Sequence, residues 1–365
     1  MKLKKIIIFF PNFSKGGIEK TSLLLTRYFL DKKIEIDFVS FASLKEFSFH
    51  KNRLFKKINI LNIDNKIIKF LFSMFALAKV LLNCNRNNTV VFSMQNSIIS
   101  IIVAKILNFK IIIRNSAPID YYKIKNYFFG FFVLIIKIFI YKFANLIIAN
   151  SNNSAKKIKS FFWLKNKTIS ISNPIELNKK NNFIKKKRKN VVLYAGRLSY
   201  EKGVDNLIDG FELFLKKKPY FKLVIIGSGE QKNKLLKKVK NKKLSNKIIF
   251  KNWEFNLKQH YLTSKIFILP SYFEGFGNVI IESLNYKLPC ISTSTDGPSE
   301  ILKKGKYGLL IKNNSEKNIA EGLNKVIDNY YHYKYKTLLG FNANKRYSLK
   351  NIGYKYLKSI RSTLN

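Results

Sequence analysis

Residues 269–283 read Leu-Pro-Ser-Tyr-Phe-Glu-Gly-Phe-Gly-Asn-Val-Ile-Ile-Glu-Ser. Two acids, Glu274 and Glu282, flank a turn marked by Gly275 and Gly277. An apolar run predicts a strand just before the turn, and the spacing after it predicts a helix over 279–285. A carboxylate accepts two hydrogen bonds side by side and so suits the vicinal hydroxyls of a ribose or a sugar ring. Free N–H groups at such a helix start attract phosphate. Two carboxylates also suit the acid and base of a hydrolase, and acids near a helix start are favoured by the helix dipole alone. Spacing leaves all three readings open.

A second cluster follows another apolar run: Gly196-Arg197-Leu198-Ser199-Tyr200-Glu201-Lys202-Gly203. Two cations beyond a strand end can hold a diphosphate, Arg197 through its fork and Lys202 as a point charge. They would also neutralise charge on a departing nucleoside diphosphate. A single lysine in so basic a chain means little; the pair, framed by glycines, marks a shaped loop. The turn Gly227-Ser228-Gly229 is a weaker signal of close approach to a nucleotide. Ser14-Lys15-Gly16-Gly17-Ile18-Glu19 pairs glycines between a strand and a helix. It is neither G-x-G-x-x-G nor G-K-[ST], which argues against dinucleotide binding and P-loop hydrolysis.

These loops need a scaffold, and the chain supplies alternating strands and helices. Strands are predicted over 6–10, 34–40, 58–63, 89–93, 109–113, 146–149 and 168–172, with helices between them. The alternation restarts with strands over 191–195, 221–226, 247–250, 266–269 and 290–293, then helices over 315–328 and 331–360. Apolar strands alternating with helices indicate mostly parallel sheets covered on both faces. The expected organisation is a first α/β domain over 1–173, a basic linker over 174–190, a second domain over 191–340 and a C-terminal helix over 341–365 that packs back on the first domain. Two such sheets facing each other across a cleft suit a two-substrate transferase, because closure orients the reactants and excludes water.

The chain has 365 residues, 47% hydrophobic and 15% aromatic, which excludes disorder and suits two domains. Lys and Arg number 68 against 21 acids, a formal charge of +47. Nucleic-acid binding, attraction to an anionic membrane and plain compositional bias all fit that charge. The lysines are spread along the chain and no nucleic-acid motif accompanies them, so no nucleic-acid partner is expected. Cys84 and Cys290 stand far apart and form neither a disulfide framework nor a metal spacing. The apolar run after the basic start is about five residues long and ends at Pro11, which fits a buried strand better than a signal sequence. The stretch 127–140, Tyr-Phe-Phe-Gly-Phe-Phe-Val-Leu-Ile-Ile-Lys-Ile-Phe-Ile, is short for a spanning helix and is interrupted by Lys137. A core or bilayer-surface helix is expected there.

The order of Gly-Gly-Ile-Glu-Lys, Gly-Arg-Leu-Ser-Tyr-Glu-Lys-Gly, Ile-Ile-Gly-Ser-Gly-Glu, the 270–283 stretch, Ser-Thr-Asp-Gly-Pro-Ser-Glu-Ile-Leu and Gly-Lys-Tyr-Gly-Leu-Leu-Ile resembles the retaining glycosyltransferase family 4. The likeness covers nearly the whole chain, most specifically 194–311, and is nearest to bacterial enzymes that build lipopolysaccharide, capsule or lipid-linked glycans. The resemblance implies the GT-B fold of two Rossmann-like domains, and transfer of a hexose or N-acetylhexosamine from a nucleotide-sugar, UDP-sugars favoured. It implies that Arg197 and Lys202 bind the donor diphosphate, that Glu282 holds the ribose and that Glu274 contacts the donor sugar. Backbone N–H groups of Phe276, Gly277 and Asn278 would help place sugar and phosphate, Gly17 would lie near the phosphates, and Lys251 to Glu254 would flank the base. Catalysis without metal or other cofactor is implied, and a glycan or lipid-linked acceptor at the cytoplasmic face of the inner membrane. One departure stands out: where many members carry a His, this chain reads Phe92-Ser93-Met94-Gln95-Asn96. Gln95 or Asn96 is the candidate substitute, and His50, His260 and His332 fall in no motif. Arg114, Asn115 and Ser116 follow a strand end and are either acceptor contacts or, for Arg114, a solvated cap. The rivals are another sugar-nucleotide enzyme on the same scaffold, such as an epimerase or phosphorylase, and a basic nucleic-acid-binding protein.

Overall fold

The computed structural model describes residues 2–11, 16–41, 51–59, 65–95, 97–116, 127–177 and 188–364. The chain forms two compact units, Met1–Pro174 with Leu349–Asn365, and Ile175–Ser348. In the first unit β1 (Lys5–Phe9), β2 (Glu35–Ser40), β3 (Phe55–Asn59), β4 (Thr89–Ser93), β5 (Lys110–Asn115), β6 (Leu146–Ala149) and β7 (Thr168–Ser170) make one sheet. Its order is β3-β2-β1-β4-β5-β6-β7, all pairs parallel. The helices are α1 (Gly17–Asp31), α2 (Lys66–Leu82), α3 (Ser97–Ile106), α4 (Tyr127–Tyr141) and α5 (Asn152–Lys159).

The strands are apolar throughout because both sheet faces are covered. Alternate residues of a strand point to opposite faces. Ile6 and Ile8 accordingly join a core with Leu25 and Phe29 of α1, while Ile7 and Phe9 join another with Leu77, Ile101 and Ile138 of α2, α3 and α4. The sequence places a third strand over 58–63; the ladder runs from Phe55 to Asn59, and 60–64 lie outside the described residues. Helix α4 buries Ile138 and Tyr141 but leaves Phe131, Phe132, Ile135, Ile136 and Phe139 exposed. Among the described residues no helix is long and apolar enough to cross a membrane.

The second unit repeats the plan. Its strands are β8 (Val191–Ala195), β9 (Lys222–Ile226), β10 (Ile248–Lys251), β11 (Ile266–Leu269), β12 (Cys290–Thr293) and β13 (Leu309–Ile311), parallel in the order β10-β9-β8-β11-β12-β13. Helices α6 (Val204–Leu215), α7 (Lys232–Asn241), α8 (Lys258–Thr263), α9 (Asn278–Asn285), α10 (Asp296–Ile301), α11 (Glu316–Asp328) and α12 (Tyr330–Ala343) accompany them. One core unites both faces, with Leu193, Ile225, Phe267 and Ile291 of the strands beside Phe211, Ile281 and Leu323 of the helices.

Two boundaries differ from the sequence reading. The stretch treated as linker from residue 174 already belongs to the second unit at Ile175, which is buried and donates its N–H to Tyr347 O at 2.9 Å. Residues 178–187 lie outside the described residues. The helix expected over 331–360 is two helices, α12 and α13 (Leu349–Arg361), separated by a 3₁₀ turn at Asn344–Tyr347. The turn is fixed by tertiary contacts: Asn344 Nδ2 donates to Ile281 O at 3.1 Å, and Tyr347 packs edge-on to Phe276. Beyond it, α13 buries Ile352, Tyr356, Leu357 and Ile360 in the first unit, in the core that holds α1.

Candidate functional site

In the second unit β8 and β11 lie side by side, and strand order reverses between them. Ligands of open parallel sheets bind beyond the carboxyl ends of strands at such a reversal. The loops leaving this point carry Arg197 and Lys202 after β8 and Glu274 after β11. Lys202 Nζ donates to Glu274 Oε2 at 2.7 Å, with the two side chains 20% and 15% exposed. Arg197 is exposed, and among the described residues its guanidinium has no partner. The Arg197 charge is therefore held at the loop surface, while that of Lys202 is engaged by Glu274.

Neighbouring bonds give both loops their shape. Ser199 Oγ donates to Glu201 Oε1 at 2.7 Å, the N–H of Tyr272 donates to Glu201 O at 2.9 Å, and the Tyr200 and Tyr272 rings stack at 5.1 Å. Beneath them the buried Tyr194 Oη donates to Arg197 O at 2.9 Å. Burial first, then the Glu274 and Glu201 carboxylates, hold the Tyr194 phenol well above its ordinary range, so it remains a donor at neutral pH. On the other side, β12 supports the Glu274 loop: Ser292 Oγ donates to Leu269 O at 2.9 Å and Thr293 Oγ1 to Ser271 O at 2.6 Å.

Two glycines are required by geometry. A Cβ on Gly227 would lie 1.9 Å from Gly196 O, so only glycine lets the loop after β9 close against the loop after β8. Gly277 has φ +92° and caps the start of α9 in a conformation that side chains disfavour. Phe276, beside it, is buried. Its side chain anchors the turn, and only its backbone is left to meet a ligand. Asn278 opens α9 and is half-buried.

Glu282 lies one turn into α9. Its Oε2 accepts a 3.0 Å hydrogen bond from Tyr261 Oη of α8, a fully buried phenol. Tyr261 stacks on Tyr286 at 5.4 Å and 14°. No motif marked this partnership, because α8 has six residues and no apolar repeat. Arg188 falls within the predicted basic linker over 174–190. It is instead a clamp: Nη1 donates to Tyr261 O at 2.8 Å and Ser264 O at 2.7 Å, and Nη2 to Tyr286 O at 2.9 Å and Lys287 O at 3.1 Å. Burial lowers the pKa of Arg188. In the 251–254 stretch, Lys251 O accepts the Gly227 N–H at 3.1 Å and Glu254 Oε2 lies 3.0 Å from His260 Nε2.

The remaining predicted residues belong to the first unit. Gly17 opens α1 and is exposed, while Ser14 and Lys15 lie outside the described residues, as do His50 and Asn96. Gln95 follows β4, which pairs with β1 where that sheet's own order reverses; its Oε1 is buried and, among the described residues, has no hydrogen-bond partner. Arg114 is neither exposed cap nor free contact. It is 2% exposed and donates from Nε to Tyr356 Oη at 3.2 Å, from Nη1 to Ser116 Oγ and from Nη2 to Asn173 Oδ1. Its three partners use it to tie β5, the end of the first segment and α13 together.

Comparison with known proteins agrees with this geometry. The family model for glycosyl transferases group 1 matches residues 176–346, nearly the whole second unit. An uncharacterized glycosyltransferase of Methanocaldococcus jannaschii is 31% identical over 356 residues, covering 88% of this chain and 79% of the relative. The N-acetylgalactosamine-N,N'-diacetylbacillosaminyl-diphospho-undecaprenol 4-alpha-N-acetylgalactosaminyltransferase of Campylobacter jejuni is 24% identical and covers 89% of this chain and 91% of its own length. Among solved structures, Anabaena HepE in complex with UDP and glucose superposes with a TM-score of 0.81 over 99% of this chain and 100% of that one, at 17% identity, a likeness of fold. The two α/β units are those of the GT-B fold. Taken with the paired cation and carboxylate at the strand reversal, the 31% identity across most of both chains establishes that this protein belongs to the group 1 glycosyltransferases and is an enzyme of the glycosyl-transferring class.

Proposed function

We propose that the chain moves a hexose or N-acetylhexosamine, with retention of anomeric configuration, from a nucleotide-sugar to a growing cell-surface or lipid-linked glycan. A UDP-sugar is the favoured donor. The observation that carries this reading is the meeting of Lys202 and Glu274 at 2.7 Å beside the exposed Arg197. On donor binding the diphosphate takes Lys202 from Glu274 and gains the Arg197 fork. The freed Glu274 then accepts hydroxyls of the sugar, while Glu282 accepts those of the ribose. The bond from the anomeric carbon to the phosphate oxygen breaks, the acceptor oxygen attacks from the same face, and its proton passes to that phosphate oxygen. Arg197 and Lys202 stabilise the charge on the departing diphosphate, the task a metal performs elsewhere, so transfer proceeds without one. The HepE complex with UDP and glucose supports the choice of donor, and the diphospho-undecaprenol in the name of the Campylobacter relative supports a lipid-linked acceptor.

Thermal-shift titration with UDP-, GDP- and ADP-sugars, with and without EDTA, tests the reading. UDP-sugars raise the melting temperature and EDTA changes neither the shift nor turnover; absence of a shift with all three donors overturns it.

We propose further that the enzyme works at the anionic cytoplasmic face of the inner membrane, where a lipid-linked acceptor would lie. The supporting observation is the exposed apolar arc of α4, Phe131, Phe132, Ile135, Ile136 and Phe139, with Lys142 Nζ 3.9 Å from the Phe139 ring centroid, in a chain of charge +47. The protein floats with vesicles containing anionic phospholipid, and Ile135→Glu with Phe139→Glu abolishes flotation. Equal flotation of wild type and double variant would remove α4 from the contact.

A further inference from the structure

We infer that Tyr261 is a positioning residue for the donor nucleotide, its buried hydroxyl fixing the carboxylate of Glu282 before the ribose arrives. This deepens the reading above, since it rests on Glu282 as the ribose contact. A glutamate free in solution samples many rotamers, and ordering it on binding weakens affinity; a side chain ordered in advance avoids that loss.

Three observations converge on the same two helices. The Tyr261 hydroxyl meets Glu282 Oε2 at 3.0 Å, and Tyr261 is buried among Phe267 and Tyr286, with ring centroids at 6.0 and 5.4 Å. Its ring therefore has one place to sit, and Glu282 inherits that rigidity. Burial, then the charge of Glu282, keeps the phenol protonated and donating far above neutral pH. Finally, Arg188 binds carbonyls at the C-terminal ends of α8 and α9 together, including that of Tyr261 itself and that of Tyr286, whose N–H returns to Glu282 O at 3.3 Å. These carbonyls have no further helical N–H to accept, so one guanidinium both satisfies them and sets the spacing of the helices. The shared clamp makes Tyr261 and Glu282 one rigid unit although they lie on different helices.

A hydroxyl-specific experiment separates this role from general packing. Binding of UDP and of 2′,3′-dideoxy-UDP is measured by calorimetry for wild type, Tyr261→Phe, Tyr286→Phe and Arg188→Lys. Tyr261→Phe keeps the ring and its stacking but removes the hydroxyl. It lowers UDP affinity about tenfold and leaves dideoxy-UDP binding unchanged, while kcat at saturating donor stays within about twofold, since the effect is on ground-state binding. Tyr286→Phe, which keeps the stack and leaves the Tyr261 bond to Glu282 in place, binds both ligands as wild type does. Arg188→Lys cannot span four carbonyls and shows the same UDP-selective loss as Tyr261→Phe, with a lower melting temperature. If wild type fails to distinguish UDP from its dideoxy analogue, the ribose role of Glu282 is wrong and the inference falls with it. If wild type does distinguish them and Tyr261→Phe keeps the full difference, Tyr261 alone is excluded. Equal loss of both ligands in Tyr261→Phe would assign it a packing role and equally overturn the proposal.

Discussion

Arg114 and Arg197 occupy comparable places in two repeats of one architecture. Each comes at or just past the carboxyl end of a central strand, β5 in the first unit and β8 in the second. Their fates are opposite. Arg114 is buried and gives hydrogen bonds to Tyr356, Ser116 and Asn173. Arg197 stands in solvent, and among the described residues its backbone carbonyl is engaged by Tyr194 while its guanidinium meets no partner. One arginine is spent on the fold and the other is left at the surface. A buried cation must find its partners inside the protein or cost several kcal/mol, roughly, in lost hydration; an exposed one has no such debt and is available to a diphosphate.

The largest expected effect lies on the buried side. Arg114→Ala leaves a cavity and removes the donors that Asn173 Oδ1 and Ser116 Oγ receive, and it lowers stability by about 3 kcal/mol. Denaturant unfolding measures this, and UDP binding to the folded fraction stays as in wild type. An Arg114→Ala protein of normal stability that has lost transfer would break the contrast and restore Arg114 as an acceptor contact. Arg197→Ala gives the mirror result. Transfer falls by about a hundredfold, as for removal of one group that stabilises developing charge, while the unfolding midpoint is unchanged within error. A destabilised Arg197→Ala would mean that this guanidinium, too, serves the fold.

The same contrast explains what could be read from the sequence. Strands were legible because burial on both faces makes them continuous apolar runs; β4, β6, β8, β11 and β12 coincide with the ranges the pattern predicts. The loops with Arg197, Lys202 and Glu274 were legible because each is a short local motif framed by glycine. Their pairing, Lys202 to Glu274, follows once both strands are known to be neighbours. The fate of Arg114 was not legible, because Tyr356 lies 242 residues away and Asn173 59 residues away. Tyr261 was missed for a related reason: a six-residue helix cannot show an amphipathic period, and the hydrogen bond to Glu282 spans a strand and a turn. The break between α12 and α13 escaped because Asn344 and Tyr347 are fixed by residues of other elements, while Tyr and Lys continue a helix-compatible pattern through them. Local chemistry was readable, and chemistry completed by distant residues was not.

The smallest effect is the most diagnostic of geometry at the exposed arginine. Arg197→Lys keeps the charge and the exposure but replaces a planar fork with a single ammonium. If the diphosphate is gripped through two parallel N–H bonds, the variant loses about tenfold in kcat/KM, less than Arg197→Ala loses, and its residual activity falls more steeply with added salt because a point charge is screened more readily than a directional pair. Lys202, already a point charge held 2.7 Å from Glu274, supplies the internal standard: Lys202→Arg gains no activity, since an ammonium already meets that carboxylate. Full activity in Arg197→Lys would show that charge alone suffices there, and the difference between the two arginines would then reduce to burial without any demand for the fork.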